Sequence, residues 1–172
     1  YLGMYGYGVL VFDRISGDVI DTWRAGGGNS PGSSTISNNN VYSLHRDSGG
    51  SIWVGTAAGA DKWDGSSWSR IQPHTGWGWG PTDFYDLTSD SSYLYAGTNY
   101  GACQYRLSDL GREACWNYYS TPEGLPSSYV YSVATLSNGL LYAGTNFGAG
   151  VIDTVNDTVV DVWTAGEETW NG

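Results

Sequence analysis

The sequence predicts an all-β fold, four repeated four-stranded units of which the first is incomplete, and three observations carry that prediction. One motif recurs as SIWVGTAAG (51–59), YLYAGTNYG (93–101) and LLYAGTNFG (140–148). Its glycines, Gly55, Gly97 and Gly144, stand 42 and 47 residues apart, the period of propeller blades. β-branched and aromatic residues fill short runs between Asn, Gly, Asp and Ser, and no segment keeps a helical period over a useful length.

The best preserved unit shows the pattern strand by strand. SYVYSVAT, LLYAGT, AGVIDT and VVDVWT read as four strands, separated by SNG, NFG and VNDT turns. A worn fourth copy opens the chain: GYGVLVFDRISGDVIDTW (6–23) aligns without gaps, 140 residues upstream, with NFGAGVIDTVNDTVVDVW (146–163). That register pairs Tyr7 with Phe147, Gly8 with Gly148, Asp13 with Asp153, Asp21 with Asp161 and Trp23 with Trp163. It places Tyr1 inside a second strand, so the first unit lacks its inner strand. A single propeller segment follows, with a partial blade over 1–25 and blades over 38–73, 82–120 and 127–165.

The repetition has a packing reason. A lone four-stranded sheet cannot cover both faces, so each blade solves the same problem against its neighbour. The aromatic of YAGT is expected between blades, its Gly and Ala where backbones approach closely, and the turn glycine where a Cβ would be opposed. Asp13, Asp64 and Asp153 recur where third strands turn into fourth ones, and are expected to cap those turns.

Composition narrows the function. The chain of 172 residues carries 26 Gly, 9 Trp and 14 Tyr with 14% charged residues, enough to bury a core and unlike a disordered segment. No apolar run is long enough to cross a bilayer. The start at Tyr1 without Met suggests a processed or excised segment. A net charge of −10 with Lys62 as the single lysine argues against nucleic acid, which is held by clustered Lys and Arg. The same balance fits a protein kept soluble in high salt, or an ordinary acidic secreted one.

WNYYSTPEGLPSSYVYSVATLSNGLLYAGTNFG (116–148) resembles the two-component regulator propeller repeat: an aromatic strand, a Gly-Leu-Pro segment, a Val-x-Ser strand, a turn and a W-x-G-T-x-x-G strand. VYSLHRDSGGSIWVGTAAGADKWDGSSW (41–68) is similar to it as well, whereas FYDLTSDSSYLYAGTNYG (84–101) lacks the Gly-Leu-Pro lead-in. The resemblance implies an extracytoplasmic binding or sensing domain in a ring of more than four blades. It transfers no catalytic residue, cofactor or metal site.

Candidates for chemistry are few. His45 and His74 share no metal-ligand spacing, and no G-x-S-x-G elbow appears. Asp61 and Asp64, or Glu167 and Glu168, read as solvated turn and tail charges. The loop HTGWGWGPTD (74–83) is the most suggestive, because Trp77 and Trp79 offer flat faces to a glycan or another small ring-bearing molecule. Their alternative role is to cover a blade edge. GACQYR and EACWNY flank an LSDLG turn, and pairing about Asp109 sets Cys103 opposite Cys115, which predicts an intrablade disulfide. Three full units plus three strands, with no strand left to complete the fourth, predict a homodimer that closes a larger ring.

Overall fold

The structure, a computed structural model, describes residues 1–26, 36–71, 82–110, 115, 117–136 and 138–165. They form one three-stranded and three four-stranded antiparallel sheets, with a single short 3-10 turn at Leu107–Asp109 among them. Unit one holds β1 (Leu2–Met4), β2 (Gly8–Phe12) and β3 (Val19–Trp23). Unit two holds β4 (Val41–Arg46), β5 (Ile52–Thr56), β6 (Gly59–Trp63) and β7 (Trp68–Ile71). Unit three holds β8 (Phe84–Ser89), β9 (Tyr93–Thr98), β10 (Gly101–Arg106) and β11 (Asn117–Tyr119). Unit four holds β12 (Val130–Thr135), β13 (Leu140–Thr145), β14 (Gly148–Asp153) and β15 (Thr158–Trp163). The all-β repeated architecture is therefore as predicted, with three strands in unit one among the described residues.

Units pack in chain order, one on two, two on three and three on four, each junction closed by its own apolar cluster. The motif aromatics sit in those junctions: Trp53 and Tyr95 are fully buried, each turned toward the following unit. The motif glycine does what close approach requires. A Cβ on Gly55 would lie 2.6 Å from the carbonyl oxygen of Phe84, and one on Gly97 2.8 Å from that of Val130. Phe84 and Val130 are the first residues of the next unit's inner strand.

The motif threonine does more than extend the strand. Thr98 Oγ1 donates to the Gly101 carbonyl at 2.7 Å and accepts the Tyr100 amide at 3.1 Å, and Thr56 and Thr145 repeat both bonds. The hydroxyl thus clamps the tight turn. Gly101 follows at φ +136°, where a Cβ would collide with the Tyr119 carbonyl.

Unit one departs from the gapless alignment, and its sequence says why. From Gly8 onward the ladder repeats that of unit four residue for residue: Val9 pairs with Trp23 as Ala149 pairs with Trp163, bulge included. Upstream the register slips by one, because Gly3, not Met4, stands opposite Val9. Met4 occupies the threonine position and has no hydroxyl to close the turn, so the turn takes an extra residue. Tyr1-Leu2-Gly3-Met4 is then a fourth copy of YAGT. Tyr1 lies 5.1 Å from Trp23 as Tyr142 lies 5.9 Å from Trp163, and a Cβ on Gly3 would meet the Val41 side chain at 2.6 Å.

The capping aspartates behave as read. Oδ1 of Asp13, Asp64 and Asp153 each accepts two amide N–H groups of its own turn, at 2.7 to 3.0 Å. These donors hold the carboxyls below the usual range, led by the Ser16 amide at Asp13, the Ser67 hydroxyl at Asp64 and the Asn156 side chain at Asp153. Their native pKa values lie below the unfolded value of 3.8, so their contribution is complete above that pH. It is lost as pH falls through the lowered values. Melting temperature should therefore fall progressively below about pH 4, and less steeply in Asp64→Asn. Thermal melts across an acid series check this, and a flat profile would reject it.

The cysteine register differs from expectation. β10 and β11 pair Cys103 with Tyr118, three residues beyond Cys115, because the connection is longer than a hairpin about Asp109. Both cysteines are thiols in the structure, yet Cys115 packs against the core cluster that buries Cys103 and hydrogen-bonds with it. Burial pushes the Cys115 thiol up. In an oxidising compartment the pair is expected to close into a disulfide despite its offset. Thiol titration of unfolded, unreduced protein should then find none, and two reactive thiols would reject the bond.

Candidate functional site

Every complete unit begins with an inner strand that bulges at its second residue. The ladder passes from Val41 to Ser43, from Phe84 to Asp86 and from Val130 to Ser132, skipping Tyr42, Tyr85 and Tyr131. A bulged residue leaves the alternation of the strand and re-aims its side chain. The three re-aimed rings form a row: Tyr42 to Tyr85 at 5.3 Å and Tyr85 to Tyr131 at 5.1 Å between centroids. Tyr5, from the β1–β2 turn, extends the row at 6.1 Å from Tyr42.

The row lies at one end of the arc. Val41, Phe84 and Val130 pair with the last residues of β5, β9 and β13, so the turns that follow those strands share its end. Tyr7, Tyr100 and Phe147 sit exposed in such turns, and Tyr129 is exposed beside the row. The opposite end carries the capping aspartates and their polar turns.

One carboxylate reaches the row. Tyr42 donates its hydroxyl to Asp83 Oδ1 at 3.1 Å, and Asn99 fixes the approach by accepting the Thr82 and Asp83 amides. Burial first, and then Asp83, push the Tyr42 phenol up to about 12, and burial raises Tyr85 as well. These phenols stay neutral at physiological pH and act as hydrogen-bond donors. Ring faces, hydroxyl donors and one carboxylate acceptor make a surface that can stack on a ligand ring and bond its hydroxyls.

The sequence candidates fall elsewhere. Trp77, Trp79 and His74 lie outside the described residues, as do Glu167 and Glu168. His45, on β4, bonds Ser89 Oγ at 2.8 Å across the unit boundary, and burial lowers its pKa against the pull of Asp47 and Asp86. Asp61 is buried, not solvated. It lies within β6, and Arg70 Nε (2.8 Å), the Ser37 amide and the Ser37 hydroxyl (2.6 Å each) compensate its charge. Among the described residues no three His, Cys, Asp or Glu side chains converge on a metal site, and no helix is long and apolar enough to cross a membrane.

Residues 35–58 match the family described as two component regulator propeller. No curated protein matches the chain. In shape it is similar to the extracellular domain of a one component system from B. thetaiotaomicron, with 17% identity and a TM-score of 0.74. It is also similar to that of a hybrid two component system from the same organism, with 22% identity and a TM-score of 0.70. Both likenesses cover 94% of this chain but only 23% and 20% of the others, so the chain spans less than a quarter of their length. A computationally designed protein, Ika8, is similar over 94% of this chain and 44% of its own, with 13% identity and a TM-score of 0.61. The chain is thus a β-propeller arc whose repeat resembles the two-component regulator propeller.

Proposed function

We propose that the chain is a non-catalytic binding or sensing segment that works outside the cytoplasm and receives its ligand at the tyrosine end. The row of Tyr5, Tyr42, Tyr85 and Tyr131 carries this reading. A packing repeat needs apolar residues between blades, but it does not need a tyrosine re-aimed by a bulge in three successive inner strands. The ligand class that fits is a glycan or another ring-bearing small molecule, stacked on phenol faces and bonded by their hydroxyls and Asp83. Trp77 and Trp79 stand a few residues before Asp83 in sequence and belong to the same proposal.

A glycan array should give selective signal, followed by titration of the strongest hit through intrinsic fluorescence. Tyr85→Ala is expected to weaken that binding by about tenfold, the loss of roughly 1.4 kcal/mol of stacking. Array signal that is absent, or unchanged by Tyr85→Ala, would reject the site. The acidic balance suggests a salt-rich setting, where screening relieves self-repulsion. Melting temperature should therefore climb between dilute buffer and molar KCl, and an unchanged value would reject that setting.

A further inference from the structure

Asp83 differs from other aspartates of units two and three in what meets its charge. Asp47 and Asp61 each have a cation, Lys62 at 3.8 Å and Arg70 at 2.8 Å. Asp64, Asp86 and Asp90 each accept two amide N–H groups. Asp83 accepts two neutral hydroxyls, Tyr42 on Oδ1 at 3.1 Å and Thr82 on Oδ2 at 3.2 Å. A carboxylate offers about four acceptor sites, so this one keeps capacity to spare. Among the described residues nothing balances its charge.

The carboxylate is held in place. Asn99 Oδ1 accepts the Thr82 and Asp83 amides, and its own amide donates to the Asp83 carbonyl at 3.3 Å. Asp83 thus stands against two bulged tyrosines whose rings lie 5.3 Å apart, and burial and then Asp83 raise both phenols. The charge is a single event in the repeat, since the residue before the inner strand is Asn40 in unit two and Tyr129 in unit four. Lys62 and Arg70 are engaged by other carboxylates, and Arg14, Arg46 and Arg106 stand at the far ends of their strands from the row. Arg24 follows β3 in unit one, outside the two units that carry Asp83, Tyr42 and Tyr85.

We propose that the Asp83 corner of the tyrosine row receives a protonated amine, so that the ligand is a sugar or aromatic ring carrying an ammonium group. This rests on the tyrosine end being the ligand site, and adds the charge that the ligand must bring. An ammonium donates to the open lone pairs of Asp83, while the rings of Tyr42 and Tyr85 supply cation–π attraction. A neutral hydroxyl would fill the lone pairs but leave the charge unmatched, and an anion would be repelled. A bare metal ion needs several converging oxygens, and Asp83 is one carboxylate among phenol donors. The net charge of −10 also draws cations to the surface.

Calorimetry on the whole chain tests this with glucosamine tetramer against its N-acetylated counterpart, at a pH where the amines are charged, and with tyramine against tyrosol. The first pair reads an amino sugar and the second an aromatic amine. Within each pair the ring is shared and the charge is not. At least one amine should bind about tenfold tighter than its neutral counterpart, and molar KCl should weaken it. Asp83→Asn, the same shape without the charge, should abolish the preference and keep the circular dichroism spectrum. Equal affinity for charged and neutral probes would overturn the proposal, as would a preference that survives Asp83→Asn or is indifferent to salt. Neutral binding that Tyr85→Ala weakens would in that case leave the tyrosine site standing. If no probe binds, the proposal falls, and the glycan array alone decides whether the site stands.

Discussion

Trp53→Ala should destabilise the chain by about 3–5 kcal/mol, a large share of what holds a domain of this size together. Trp53 is fully buried at the junction of units two and three. Its indole N–H donates to Asp47 Oδ2 at 2.9 Å, and Lys62 Nζ lies 5.1 Å from the centre of its ring and 3.8 Å from the same carboxylate. Alanine would remove the ring's packing and also strip a nearly buried carboxylate of a donor. Burial alone would raise the Asp47 pKa, but the Trp53 N–H, the Ser51 amide and Lys62 hold it below its ordinary value. Trp53→Tyr should cost much less, because Tyr95 holds the equivalent place in unit three and donates to Asp90 Oδ2 at 2.8 Å. Denaturant unfolding measures both, and a loss below about 1 kcal/mol for alanine would show that the junction does not carry the fold.

The same methyl group should have opposite consequences at two glycines of one motif. Gly97→Ala sets a Cβ 2.8 Å from the Val130 carbonyl oxygen and 3.1 Å from its Cγ1, so units three and four must move apart. Overpacking of this kind costs about 1–3 kcal/mol. At Gly144 the nearest atom is the Ser132 hydroxyl at 2.5 Å, a side-chain tip that can rotate away. Gly144→Ala should therefore lie within about 0.5 kcal/mol of the parent. Equal losses at the two sites would show that the cost arises within each sheet and not between units.

Period and composition made most of the fold legible. The motif aromatics, the turn glycines and the capping aspartates recur, and each recurrence maps to one packing or turn requirement that all units share. What stayed hidden depends on single departures from the pattern. Met4 for threonine shifts a register by one, which an alignment of apolar letters does not see. Alternation assigns Tyr42, Tyr85 and Tyr131 to strand faces, because nothing in V-Y-S or F-Y-D announces a bulge. Asp61 reads as solvent-facing until Ser37 and Arg70, distant in sequence, are placed around it. The long β10–β11 connection carries no turn signal that fixes the offset of Cys103 from Cys115.

Because the extensive contacts among the described residues run between units that are neighbours in chain order, stability here is close to a one-dimensional sum of unit terms and junction terms. Among the described residues units two and three each share two junctions, and units one and four one each. Opening should then propagate inward from the ends, with backbone amides of β1–β3 and β15 exchanging with solvent well before those of β5 and β9.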